Sequence, residues 1–258
     1  QLGGVIAAIY TGAVPRSSNR DTLQQQCVAV SRDGFLWEKR GVVLPNPGLP
    51  DFRDPKVTRH PESGRWVMVL AVSREVYFYS SADLREWRYE SRLGAGMGYP
   101  DGVWECPDLF PLPVASSDDR RYTERGEIRP ADAECAWVLI VHAGEGLSPH
   151  HAGAQFIVGE FDGRRFHPDM EDFQPVDFGH DFYAAQTFSG VPREDGRTIW
   201  IAWAAHWATA DTTPRFAWRG VHTLPQEVEL HRVRGDGDDD RSYELRRRPV
   251  AEIATLRR

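Results

Sequence analysis

The sequence predicts an all-β chain of the β-propeller type, and three observations carry that prediction. The first is a recurring unit: an apolar strand, a second strand, then a turn opened by Asp and closed by an aromatic residue. Residues 6–11, 27–31 and Asp33-Gly34-Phe35-Leu36-Trp37 form one copy, and 66–72, 76–80 and Asp83-Leu84-Arg85-Glu86-Trp87 the next. A third runs through 137–142 and 155–160 to Asp162-Gly163-Arg164-Arg165-Phe166. Self-similarity of this kind marks a solenoid or a propeller. Trp37 and Trp87 stand 50 positions apart, which suits one four-stranded blade. The second observation is run length: the Val- and Ile-rich stretches last about five to seven residues and stop at Gly, Pro, Asn or Asp, as strands between turns do. The third is the lack of a convincing helix. Even the Ala-rich 202–210 is led in by the β-forming Thr198-Ile199-Trp200-Ile201, so it reads as a strand running into a loop.

Taken in order, these elements fill residues 1–230 as a propeller domain with two interruptions. Residues 115–133 carry Asp118, Asp119, Arg120, Arg121, Glu124, Arg125, Glu127 and Arg129 with almost nothing apolar, the composition of a solvated loop between strands. Residues 231–258 open on a Gly/Asp/Arg run, 232–241, that should be flexible. A chain of 258 residues buries a sizeable core as one domain, and no apolar run is long enough to cross a membrane. The net charge of -7 argues against a nucleic-acid partner. Cys27, Cys106 and Cys135 are odd in number with no close pair, which suggests neither a disulfide framework nor a zinc site. Lys39 and Lys56 are the only lysines, a bias we read as compositional.

Two stretches carry candidate chemistry. In Gly102-Val103-Trp104-Glu105-Cys106-Pro107-Asp108-Leu109-Phe110, Glu105 sits between an indole and a thiol. Loss of hydration there favours its protonated form, the form a general acid needs; a Glu at a strand end, hydrogen-bonded to backbone, is the plainer alternative. In Asp51-Phe52-Arg53-Asp54-Pro55-Lys56-Val57, Asp54 lies between a permanent cation and a ring that keeps it extended. Asp54 is expected to stay ionised there, and an ordinary Asp-Pro turn is the alternative. His142, Glu145, His150 and His151 do not have a recognised metal spacing, and adjacent histidines on a strand point to opposite sides; no metal and no cofactor is expected.

Together these stretches resemble glycoside hydrolase family 32, the invertases, inulinases and levanases, whose signatures include Arg-Asp-Pro and Glu-Cys-Pro. The resemblance continues in order through residues 5–12, Gln24-Gln25-Gln26, Pro45-Asn46-Pro47-Gly48-Leu49 and Trp66-Val67-Met68-Val69-Leu70-Ala71. It runs on through Asp181-Phe182-Tyr183-Ala184-Ala185-Gln186-Thr187-Phe188, Ile199-Trp200-Ile201-Ala202-Trp203 and Trp218-Arg219-Gly220-Val221-His222-Thr223-Leu224-Pro225. The family's Trp-Met-Asn-Asp-Pro-Asn segment, which carries its nucleophilic Asp, has no counterpart here, nor has its C-terminal β-sandwich, although 246–256, the end of residues 231–258, look like the start of the family's linker to it.

The resemblance implies a five-bladed propeller of which about four blades are present. It implies retaining hydrolysis of β-fructofuranosides such as sucrose, inulin or levan, with Glu105 as acid and then base. Asp54 would hold fructose hydroxyls and stabilise charge, Arg53 would fix it, and Cys106, Tyr183 and Trp203 would line the pocket, the last two being equally explicable as core aromatics. The expected partner is a small sugar or oligosaccharide, and the expected location is extracellular. A fructan-binding propeller without turnover and a fructosyltransferase remain alternatives. The isolated chain is expected to be poorly soluble and inactive.

Overall fold

The structure is a computed structural model that describes residues 4–15, 22–99, 102–116, 134–143, 153–192, 194–208, 210–214, 217–233 and 242–256. Strand is the dominant element of the described residues, with one short 3-10 turn at Ala251–Leu256 as the only helix among them, and the strands form four blades of a propeller. The first blade is β1 (Ile6–Pro15), β2 (Thr22–Ser31) and β3 (Glu38–Leu44); the second is β4 (Phe52–Arg59), β5 (Trp66–Val72), β6 (Glu75–Ser81) and β7 (Arg88–Leu93). The third comprises β8 (Trp104–Ser116), β9 (Cys135–Ala143), β10 (Ala154–Phe161) and β11 (Phe166–Pro168), with β12 (Gln174–Pro175) also paired to β10. The fourth is β13 (Tyr183–Thr187), β14 (Thr198–Trp203), β15 (Gln226–Val233) and β16 (Ser242–Pro249). Neighbours within each blade are antiparallel, while β8 and β15 meet in parallel at Val114↔Leu230 and join the last two blades in one sheet.

The recurring turns have a common construction. Asp33 Oδ1 accepts hydrogen bonds from the N–H groups of Phe35 and Leu36, both at 2.9 Å. Asp83 Oδ1 does the same for Arg85 and Glu86, and Asp162 Oδ1 for Arg164 and Arg165. The residue after each Asp is in the left-handed region: Gly34 (φ 79°), Leu84 (φ 67°) and Gly163 (φ 86°). An Asx turn followed by a left-handed residue reverses the chain tightly, so the repeated Asp is the device that folds one strand back on the next. The equivalent turns end β2, β6 and β10, so β1 corresponds to β5 and β9, the second strands of their blades. Ser31 and Ser81 complete the match, each accepting the N–H three residues on.

The core lies between blades. Trp104, Leu109, Leu139 and Val141 of the third blade pack on Val67, Val69, Val76 and Phe78 of the second. A second cluster joins Phe110, Leu112 and Ile140 to Phe182, Trp200 and Leu230 of the fourth. Burial of each such side chain contributes about 1.5–3 kcal/mol. No helix among the described residues is long and apolar enough to cross a membrane.

One expectation needs correction. Ser242–Pro249, read from the sequence as part of a run leading out of the propeller, pairs with β15 from Gln226↔Pro249 to Val233↔Ser242. The blade sheet therefore extends past residue 230, because Tyr243 and Leu245 join the last blade's core. The two charged runs, 115–133 and 232–241, lie outside the described residues apart from 115–116 in β8 and 232–233 in β15.

Candidate active site

Three strands, β4, β8 and β13, meet at the site, and each carries the same irregularity. Pairing slips between Arg53 and Lys56, between Glu105 and Asp108, and between Tyr183 and Gln186. In each bulge one non-glycine residue takes a positive φ: Asp54 at 61°, Cys106 at 48° and Ala184 at 53°. Such conformations cost about 1–3 kcal/mol each and persist only where the surroundings impose them. Here the bulge re-aims the side chain just before it. Arg53, Glu105 and Tyr183 occupy that position in successive blades, and they touch: Arg53 Nη2 donates to Glu105 Oε1 at 2.9 Å and Tyr183 Oη to Glu105 Oε2 at 2.5 Å.

Side chains of neighbouring strands hold the bulges. Cys106 N–H donates to Asp54 Oδ2 at 3.0 Å, and the Cys106 thiol lies 3.8 Å from the same oxygen. Asp54 N–H donates to Thr11 Oγ1 at 3.0 Å, and Thr11 in turn donates to Gln26 Oε1. Gln26 is fully buried and closes the chain by donating to the Phe52 carbonyl at 2.8 Å. Arg53 also reaches Asp51 at 2.6 Å, with Asp54 Oδ2 at 4.0 Å from its Nε.

The electrostatics follow from this crowding. Burial pushes the Asp54 pKa up, against the opposing pull of the Cys106 N–H and of Arg53. Burial also pushes up the Cys106 thiol, helped by the charges of Asp54 and Glu105, so the sulfur stays protonated and is no nucleophile. The Tyr183 phenol is raised by burial and by its bond to Glu105, which makes it a donor throughout the ordinary pH range. For Arg53 burial acts downward, but the bonds to Asp51 and Glu105 outweigh it and the pKa rises.

Beneath these groups lies a second layer that the sequence did not reveal. Lys56 Nζ donates to Asp108 Oδ2 at 3.0 Å and to the Thr187 carbonyl at 3.0 Å. Asp108 is fully buried; its Oδ2 also accepts from Thr187 N and Oγ1, and its Oδ1 from Leu109 N. Gln186 Nε2 donates to the carbonyls of Cys106 and Pro107. The signals were present: one of two lysines in the chain, and a carboxylate inside the apolar Pro107-Asp108-Leu109-Phe110.

The six residues singled out from the sequence are brought together, Trp203 at one remove, its ring centroid 6.3 Å from that of Tyr183. Trp207 completes an aromatic wall, 6.1 Å from Tyr183 and 5.2 Å from Trp203. One local reading fails: Trp104 does not press on the Glu105 carboxylate. Alternation along β8 turns Trp104 into the core between blades, fully buried, and the carboxylate meets a guanidinium and a phenol instead. His142 is buried opposite Glu105, whereas Glu145, His150 and His151 lie outside the described residues. The described residues hold no cluster of three metal-ligating side chains. All three cysteines are free.

A propeller with an arginine-held carboxylate beside a second carboxylate, walled by aromatic rings, has the architecture of a glycoside-cleaving domain. Residues 1–246 match the glycosyl hydrolases family 32 N-terminal domain, and the chain belongs to that family. It is 35% identical over 257 residues to a levanase of Bacillus subtilis (strain 168), covering 98% of this chain and 34% of that protein. It is 33% identical over 231 residues to an extracellular exo-inulinase of Meyerozyma guilliermondii, covering 87% and 40%. A fructofuranosidase from Schwanniomyces occidentalis, solved in complex with fructose, superposes with a TM-score of 0.77 at 32% identity over 96% of this chain and 44% of that one. The chain thus spans about a third to under half the length of these relatives.

Proposed function

We propose that this chain forms the acid-bearing part of a secreted retaining β-fructofuranosidase acting on sucrose or a fructan. The observation that carries the reading is the Glu105 carboxylate, gripped by Arg53 and Tyr183 next to the half-buried Asp54. Glu105 protonates the leaving oxygen as a carboxylate attacks the anomeric carbon, and the same group then activates the water that releases fructose. The attacking carboxylate is assigned to the family's Asn-Asp-Pro segment, which has no match within residues 1–258. Arg53 and Tyr183 both donate to Glu105, so each stabilises the carboxylate left once the proton has gone. Asp54 accepts fructose hydroxyls and faces the positive charge that grows on the ring, with Arg53 and the Cys106 N–H fixing its orientation. Trp203 supplies an apolar wall, and Cys106 serves through its amide and its protonated thiol. The extracellular location of the exo-inulinase relative supports secretion.

The test uses the full-length protein with sucrose, inulin and levan, following fructose release and the anomeric form of the first product by NMR. Release with retention, abolished by Glu105→Gln, is the expected result. Binding of fructose without turnover would move the reading to a sugar-binding propeller, and inversion would remove the covalent mechanism.

A further inference from the structure

Every bulge at the site leaves backbone N–H groups without a ladder partner, and a side chain from a neighbouring strand takes one up. Thr11 serves Asp54 and Asp54 serves Cys106, as described. In the third bulge the amide is that of Ala185, next to the left-handed Ala184, and its acceptor is His142 Nε2 at 3.1 Å. We propose that His142 is a positioning residue for the acid, a neutral imidazole that fixes the bulge from which Tyr183 reaches Glu105.

Four observations converge on this role. His142 sits directly across the β8–β9 ladder from Glu105. Its side chain is fully buried, and its ring lies against that of Tyr183 with centroids 5.2 Å apart. An imidazole nitrogen that accepts from a backbone N–H must carry a lone pair, which places the proton of the neutral ring on Nδ1. Nδ1 is buried with no partner in good hydrogen-bond geometry, and the backbone of Cys106 and Glu105 supplies the polar groups near the ring that favour its proton. One ring therefore lies between the strand that carries the acid and the strand that carries its phenol. Burial holds the imidazole pKa down to about 4, so the accepting form prevails wherever the site works. The titratable groups around it are Glu105 and Cys106 on β8 and Tyr183 on β13.

The inference rests on the proposed hydrolase reading, and the experiment separates the two. His142→Gln keeps an acceptor where Nε2 stands, whereas His142→Phe keeps the ring without one. Each is made in the full-length protein alone and with Tyr183→Phe. His142→Phe is expected to lower kcat about tenfold with KM little changed, the size of one lost hydrogen bond in the transition state, and to shift the basic limb of the pH–rate profile as Tyr183→Phe does. His142→Gln recovers most of the loss. With Tyr183→Phe already in place, His142→Phe adds less than about twofold. Equal losses in both backgrounds would overturn the proposal, as would full activity of His142→Phe. Should the full-length protein lack fructosidase activity, the hydrolase reading falls and ¹⁵N imidazole spectra of that same protein, with His142→Gln to assign the signal, decide. An unprotonated Nε2 at pH 6, bonded to the Ala185 amide, supports the positioning role, and an Nε2-protonated ring sinks it.

Discussion

Strands β4 and β8 are tied by two ion pairs, Arg53 to Glu105 and Lys56 to Asp108, each joining residues 52 apart in sequence. The two ties have the same origin in the repeat and opposite characters. Glu105 keeps 21% of its side-chain surface exposed, while Asp108 keeps none. Lys56 and Asp108 spend their hydrogen-bonding capacity on each other, on Thr187 and on Leu109, and so have little left for a ligand. Arg53 and Glu105 keep part of their side chains open to solvent, so a ligand oxygen can reach them. Moving three residues along a strand thus turns a fixed pin into a chemical group, and the bulge between them makes the change of environment possible.

That contrast can be broken at either tie. Glu105→Gln is expected to lower turnover of the full-length enzyme on sucrose by about 10²–10⁴-fold with little change in stability. An activated aryl fructoside, whose leaving group needs less protonation, loses less in its first step. Asp54→Asn should depress both substrates alike, and an effect on affinity alone would contradict its assignment. Asp108→Ala is the mirror experiment. It leaves the Lys56 charge with only the Thr187 carbonyl and hydroxyl as partners and should cost about 3–5 kcal/mol of stability, read by urea unfolding, and Lys56→Met together with Asp108→Leu should recover much of that.

A smaller effect sharpens the comparison through pH. His142 has its pKa depressed by burial from 6.5 to about 4, so the unfolded chain takes up the proton first as pH falls. The stability this group supports is whole above pH 6.5 and is lost progressively down to about pH 4, a total of about 3 kcal/mol. Wild type should therefore lose more stability than His142→Gln when urea midpoints are compared at pH 7 and pH 4.5; parallel losses would refute the assignment. The smallest expected effect is that of Thr11→Val, about 1 kcal/mol for the Asp54 amide it leaves without an acceptor, seen as a slightly lower midpoint and faster exchange of that amide.

The fold was legible because its signals are local. The Asp-led turns, the short Val-rich runs and the aromatics at fixed spacing each report on residues a few positions apart. Glu105, Asp54 and Arg53 were legible because Pro55 and Pro107 mark their segments and because charges stand there among apolar neighbours. Trp104 misled for a simple reason: neighbours in sequence on a strand face opposite sides, so proximity in the chain argued for the wrong contact. Lys56, Asp108 and His142 were passed over because their partners arrive from other blades, and only closure of the inter-blade seams brings them within reach. Residues 242–249 were misread because the resemblance put the start of a linker there, and an Arg-rich strand at the outer edge of a sheet gives little apolar signal against that reading.

The three bulges amount to one backbone slot used three times. Phe52-Arg53-Asp54, Trp104-Glu105-Cys106 and Phe182-Tyr183-Ala184 each set an aromatic in the core, a polar side chain toward the other two blades and a left-handed residue after it. A guanidinium, a carboxylate and a phenol are thereby aimed at a single point by the same local backbone, so exchanging the middle residue of a slot changes the chemistry there without requiring a new turn of the chain.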